Sequence, residues 1–127
     1  MRYIIDTQAF IWYATGDKQL SKIALEIIES DVTRYISIAS IWEMAIKHNI
    51  GKLTFQVPFD ELISNQLAIN NYEILPLELA HVFHLTNLPL FHKDPFDRIL
   101  IAQAMSENIP IVSIDPAFKN YPLTVIW

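Results

Sequence analysis

Two aspartates follow directly on short apolar runs: Tyr3-Ile4-Ile5 leads into Asp6, and Ile111-Val112-Ser113-Ile114 leads into Asp115. Runs of this kind read as buried strands, so each aspartate leaves the C-terminal end of a strand. In a parallel sheet all such ends share one edge, where open α/β folds form their ligand crevice. Two acids far apart in the chain can therefore share a pocket. The same positions also have a structural use, because an aspartate after a strand caps the next helix or opens a turn; Asp115-Pro116 reads as such a turn. The segment Asp94-Pro95-Phe96-Asp97-Arg98 supplies two more carboxylates. Asp94 reads as an N-cap, with Pro95 at the first helical position. Asp97 gains from the positive helix end, and Asp94 and Arg98 are spaced to pair. Two carboxylates one turn apart at a helix mouth suit a hard cation equally well, and on these residues alone both readings of Asp97 stand. Glu43 is the least conspicuous acid. It flanks the apolar stripe of a helix, and Lys47 four residues on would make an ordinary exposed pair with it.

A cluster of carboxylates in a chain without cysteine suits Mg²⁺ or Mn²⁺ rather than zinc or an iron–sulfur centre. Crowded carboxylates repel unless a cation joins them or some hold a proton. With a cation bound, their charge becomes the means of attracting phosphate, and one or two such ions can turn water against a phosphodiester. This reconciles a net charge of −5 with a nucleic-acid substrate, since proteins that grip nucleic acid by charge alone are usually basic. Among the histidines only His81 and His84 have a spacing that suits a shared face, and they lack a third ligand, so no zinc site is expected. His92 and Lys93 adjoin the aspartate cluster and read either as phosphate contacts or as solvated loop residues. Thr7 and Ser113 are placed to orient ligands, and Lys93, Arg98 or Lys47 could form a basic rim. Neither a G-x-S-x-G nor a Walker motif is present.

The elements that must position these residues alternate along the chain. Tyr3–Ile5, Arg34–Ser37, Tyr72–Leu75, Ile111–Ile114 and Leu123–Ile126 read as strands. Thr7–Ala14, Leu20–Ser30, Phe59–Asn70 and Leu77–Leu88 read as helices. Ile38–Ile50 carries apolar residues at 38, 41, 42, 45 and 46, one helical face closed by Gly51. Asp94–Glu107 is the strongest helix. Strands alternating with helices predict a three-layer α/β/α domain around a central, mostly parallel sheet.

A chain of 127 residues, 52% apolar and 18% charged, is expected to form one domain over 1–127. It also has apolar surface to spare for a second subunit or a partner protein. No run of about eighteen apolar residues exists, so no membrane span is expected. The start, one arginine and a short apolar stretch before Asp6, does not read as a signal peptide. The absence of cysteine fits a reducing cytoplasm.

Taken together, Ile5-Asp6-Thr7-Gln8-Ala9-Phe10-Ile11-Trp12, Ser37-Ile38-Ala39-Ser40-Ile41-Trp42-Glu43, His92-Lys93-Asp94-Pro95-Phe96-Asp97-Arg98, Ile101-Ala102-Gln103-Ala104 and Val112-Ser113-Ile114-Asp115 with Phe118 and Tyr121 form an ordered set. In this set the chain resembles PIN-domain ribonucleases, specifically the VapC-type toxins of bacterial toxin–antitoxin pairs, nearly end to end. The resemblance implies a parallel-sheet PIN-like fold, RNA cleavage dependent on Mg²⁺ or Mn²⁺, a homodimer, and inhibition by a cognate antitoxin. It implies catalytic acids at Asp6, Glu43 and Asp97, a fourth acid at Asp115 and an accessory one at Asp94. Relatives in this branch often carry histidine where Gln8 stands, so position 8 is given no catalytic part. Two other readings remain: a phosphoryl-transfer enzyme using Asp6, and a non-catalytic PIN-like module that binds RNA or a partner. For the first, the haloacid-dehalogenase pattern has a second aspartate two residues on, where this chain has Gln8.

Overall fold

The computed structural model describes all 127 residues, Met1–Trp127. In chain order the elements are β1 (Arg2–Ile5), α1 (Thr7–Thr15), α2 (Lys22–Ile28), β2 (Thr33–Ser37), α3 (Ile38–Asn49), α4 (Phe59–Ile69), β3 (Glu73–Leu75), α5 (Leu79–Leu85), α6 (Pro95–Glu107), β4 (Ile111–Val112), a 3₁₀ turn (Pro116–Asn120) and β5 (Val125–Ile126). The five strands form one sheet in the order β3-β2-β1-β4-β5. Every pairing is parallel, so the sheet is wholly rather than mostly so.

Strand alternation divides the core. Tyr3, Ile5 and Val112 face a layer built from Ala9 and Phe10 of α1, Ala24 and Ile28 of α2, Met44 of α3 and Ile63 of α4. Ile4 and Ile111 face the other layer, with Leu100, Ile101 and Ala104 of α6 and with Phe118. Consecutive strand residues point to opposite faces, so an unbroken apolar run such as Tyr3-Ile4-Ile5 is what a sheet covered on both sides requires. This is the three-layer α/β/α arrangement expected from the sequence.

Several elements are shorter than the residue pattern suggests, and local hydrogen bonds account for three of them. α2 starts at Lys22 because the Ser21 hydroxyl caps it, accepting from Ala24 N–H at 3.1 Å. α5 covers only Leu79–Leu85, and the Thr86 hydroxyl closes its last turn on the Phe83 carbonyl at 2.7 Å. β4 ends at Val112 because the chain turns at Ser113, whose Oγ accepts from Asp115 N–H at 3.1 Å. Gly16, at φ 68°, ends α1 in the left-handed conformation that glycine adopts without strain.

Two buried polar residues tie elements together. His81 is fully buried; its Nδ1 accepts from Glu78 N–H at 3.0 Å and its Nε2 lies 2.9 Å from Glu107 Oε1. With Nδ1 engaged as acceptor, Nε2 carries the proton and donates to Glu107, joining α5 to α6. Glu78 and Glu107 therefore surround His81 as hydrogen-bond partners of a packed histidine. Arg34 is buried in β2 and donates to the carbonyls of Ser30 and Asn70, just beyond the ends of α2 and α4. No helix is long and apolar enough to cross a membrane.

Candidate metal centre

Each acid reaches the C-terminal edge of the sheet by a different local device. β1 passes into α1 through Asp6 alone, and Asp6 Oδ1 accepts from Ala9 N–H at 2.8 Å as the N-cap of α1. α3 follows β2 with no loop; Ser37 ends the strand and caps the helix, and Glu43 is carried on that helix to the same edge. Asp94 caps α6, its Oδ1 accepting from Phe96 N–H at 2.9 Å and Asp97 N–H at 3.1 Å, with Pro95 opening the helix. Asp115 caps the 3₁₀ turn after β4, its Oδ1 accepting from Ala117 N–H at 2.9 Å. Asp6, Asp94, Asp97, Asp115 and Glu43 line one cleft of about 480 Å³, together with Thr7, Gln8, Ile11, Lys47, Ile114 and Pro116. Capping and convergence are thus not alternatives. In Asp6, Asp94 and Asp115 one oxygen closes a helix or turn while the carboxylate as a whole faces the cleft.

The cleft is crowded with negative charge and partly dry. Burial pushes the Asp6 carboxyl up to about 6, helped by the nearby charges of Asp115 and Glu43, while hydrogen bonds from Ser113 and Ala9 pull it down. Burial likewise pushes Asp97 up to about 7, with Asp94, Glu43 and Asp6 adding to the rise and His92 opposing it. Glu43 is not the exposed residue that its place beside the stripe suggests. It is only 5% exposed, because the mouth of α6 closes over this part of α3. Its Oε2 pairs with Lys47 Nζ at 2.9 Å, and its Oε1 is buried without a hydrogen-bond partner. An orphaned carboxylate oxygen in a cluster of oxygen donors fits a hard divalent cation.

The remaining residues singled out from the sequence divide. Thr7 is buried and lines the cleft, its hydroxyl donating to Ser40 Oγ at 2.8 Å. Ser113 is buried between Asp6 and Asp115 and touches both. Lys47 is the one basic side chain lining the cleft, and Lys93 is exposed outside it. Arg98 departs from expectation. Its guanidinium donates to the carbonyls of Pro89 at 2.9 Å, His92 at 3.0 Å and Leu88 at 3.1 Å, and it makes no ion pair with Asp94. A loop whose carbonyls lack sheet or helix partners needs donors, and Arg98 supplies them to three carbonyls. His92, left undecided from sequence, is held between Asp115 Oδ2 at 2.9 Å and Asp97 Oδ2 at 3.1 Å. Asp97 is close in sequence, whereas Asp115 reaches His92 only through the fold, so spacing offered no signal for that contact.

The raised carboxyls give a pH dependence. A carboxyl raised by folding keeps a proton that the unfolded chain has already released. Its contribution is therefore full below the unfolded value of 3.8 and is lost as pH rises through about 6 for Asp6 and about 7 for Asp97. The metal-free protein is expected to melt at a lower temperature at about pH 7.5 than at about pH 5.5, and Mn²⁺ to restore the loss at the higher pH. Thermal melts in chelator and in Mn²⁺ check this; a melting temperature that climbs over that interval without metal would contradict it.

The family model described as "PIN domain" matches residues 3–123. Among solved structures, the chain is similar to VapBC2 from Rickettsia felis bound to a DNA fragment from its promoter, at 18% identity and TM-score 0.76, covering 99% of this chain and 98% of that one. It is also similar to DNA-bound VapBC from Salmonella typhimurium, at 14% identity and TM-score 0.71, covering 99% and 97%. A toxin–antitoxin complex from Klebsiella pneumoniae matches at 18% identity and TM-score 0.68, covering 98% and 96%. At these identities the structural likeness establishes the fold. The comparison with curated proteins finds no match.

Proposed function

This chain belongs to the PIN-domain family, and from that premise we propose that it is an endoribonuclease dependent on Mg²⁺ or Mn²⁺, the toxin of a toxin–antitoxin pair. The observation that carries the reading is the meeting of Asp6, Glu43 and Asp97 in one cleft, with Asp94 and Asp115 beside them and Glu43 Oε1 unpartnered. Asp6, Glu43 and Asp97 would hold the cation, Asp115 would serve as a fourth ligand and Asp94 as an accessory one. When bound, the cation supplies Lewis acidity toward a water nucleophile and the phosphate under attack.

The chain's own residues do the rest. Asp6 and Asp97, whose carboxyls burial raises to about 6 and about 7, would hold the cation as carboxylates, with their protons released to solvent. Lys47, resting on Glu43, is the cleft's one ammonium able to turn to a phosphate oxygen, and Lys93 supplies a positive rim beside the cleft. Thr7 and Ser113 hold the floor, keeping Asp6 and Asp115 in place. No nucleophilic serine or cysteine lines the cleft, which favours direct hydrolysis over a covalent enzyme intermediate.

The partner reading rests on the fold and on exposed apolar surface. Leu79, Val82 and Phe83 of α5 are 66%, 40% and 60% exposed, and Leu90 and Phe91 follow at 74% and 59%. Exposed apolar side chains in this number on a small protein favour a protein partner: an antitoxin, a second copy, or both. The solved relatives include complexes of a toxin with its antitoxin, and a chain of this kind would act on RNA in the cytoplasm. Purified protein is expected to cleave single-stranded RNA in Mn²⁺ and to stop in chelator. Tight Mn²⁺ binding with no cleavage of any RNA would favour a binding module instead.

A further inference from the structure

We infer that His92 is a positioning residue that aims Asp97 and Asp115 at the cation, its Nε2 donating to Asp115 and standing within ion-pair distance of Asp97, and that it does not bind the cation itself. The inference rests on the metal-site reading above. His92, Asp97 and Asp115 have ligand atoms close enough together to hold an ion directly, so the two roles must be told apart.

The hydrogen bonds separate them. Asp94 N–H donates to His92 Nδ1 at 3.2 Å. Nδ1 is therefore the acceptor nitrogen, and the neutral ring carries its proton on Nε2. Nε2 is the atom that faces Asp115 Oδ2 at 2.9 Å and Asp97 Oδ2 at 3.1 Å. A protonated nitrogen has no lone pair for a metal, whereas its N–H donates to Asp115 Oδ2 and stands beside Asp97 Oδ2. It bridges two like charges that would otherwise drive each other apart, one at the mouth of α6 and one after β4.

The ring is built into place. The His92 backbone N–H donates to the Tyr121 hydroxyl at 2.8 Å, and that hydroxyl donates to the Pro89 carbonyl at 2.6 Å. Arg98 holds the His92 carbonyl at 3.0 Å. The imidazole packs 5.6 Å from the Phe118 ring, and its side chain is only 13% exposed. Arg98 and Tyr121 thereby act on the acid cluster through His92, which gives the carbonyl clamp at residues 88–92 a function beyond loop stability. Groups that orient metal ligands in this manner typically change metal affinity about 10–100-fold when removed.

The test uses Mn²⁺ titration followed by electron paramagnetic resonance on the full chain, with His92→Ala and His92→Gln. Glutamine keeps an N–H donor near the Nε2 position and cannot replace imidazole as a nitrogen ligand. His92→Ala is expected to weaken Mn²⁺ binding about 10-fold or more, while His92→Gln stays near wild type, and the wild-type spectrum carries no coupling from a directly bound imidazole nitrogen. Such a coupling, lost in both variants, would overturn the inference in favour of a metal ligand. Wild-type affinity in His92→Ala, whatever its melting temperature, would overturn it in favour of a purely structural residue. If the wild type binds no Mn²⁺, the metal-site reading itself fails and this inference falls with it; in the other outcomes that reading stands.

Discussion

Asp6→Asn is expected to abolish Mn²⁺-dependent RNA cleavage while making the metal-free protein more stable at neutral pH. The two effects have one origin. Asp6 is 5% exposed, and its carboxyl is pushed up to about 6 mainly by burial. Holding it ionised at neutral pH costs stability that only a cation returns. A rise from 3.8 to about 6 corresponds to roughly 3 kcal/mol at full ionisation. Asparagine keeps an oxygen for Ala9 N–H, so the α1 cap survives. It still has to be desolvated, which leaves an expected gain of about 1–2 kcal/mol and a few degrees of melting temperature. Catalytically, the cation loses a ligand buried at the floor of the cleft, and the fall in rate should be on the order of 10²–10³-fold or more, the scale of losing one electrostatic stabiliser of a transition state. Cleavage assays and calorimetric melts in chelator read the two effects separately. Retained cleavage would place the chemistry elsewhere, and a lowered melting temperature would mean that Asp6 serves the fold more than the cation.

Arg34→Ala is expected to produce a large loss of stability without touching the cleft. Arg34 is 6% exposed and has no carboxylate partner; its guanidinium serves the Ser30 and Asn70 carbonyls and lies 5.9 Å from the Tyr72 ring. Those carbonyls stand at the C-terminal ends of α2 and α4, where helix dipoles concentrate negative potential, so the buried cation is compensated by two helix ends. Alanine leaves both carbonyls without a donor and opens a void beside Tyr72. At about 1–3 kcal/mol per abandoned buried group, the loss should reach roughly 3–5 kcal/mol. Lysine, a point charge with no planar fork, should recover only part of this. Urea unfolding measures the loss. A change within about 0.5 kcal/mol, typical of a surface substitution, would contradict the role assigned to Arg34.

Glu43 and Arg98 show why some of this arrangement is legible in the residues and some is not. The strand-end position of Asp6 follows from a local pattern, three apolar residues and an acid, and the parallel sheet follows from strands alternating with helices. The capping of α6 by Asp94 is equally local. Glu43 is different. Its place beside the apolar stripe of α3 predicts an exposed pair with Lys47, and that pair is present at 2.9 Å. Its burial comes from the mouth of α6, a contact that helical periodicity does not encode. Arg98 was weighed as a charge near aspartates, yet three carbonyls of the preceding loop claim it. The bridge from His92 to Asp115 needs β4, its following turn and the 88–92 loop all in place. What one element or the alternation of elements dictates is readable, including the meeting of Asp6 and Asp115 at one sheet edge; the side-chain contacts of Glu43, Arg98 and His92 depend on how particular elements pack.

Asp6, Glu43 and Asp97 are proposed to hold a divalent cation together. Diffraction from crystals soaked in Mn²⁺, recorded at the manganese edge, tests it most directly. The expected result is an anomalous peak in the cleft, bonded to carboxylate oxygens of all three residues. A peak held instead by Glu78, His81 and Glu107, or no peak at Mn²⁺ concentrations that support RNA cleavage, would contradict it.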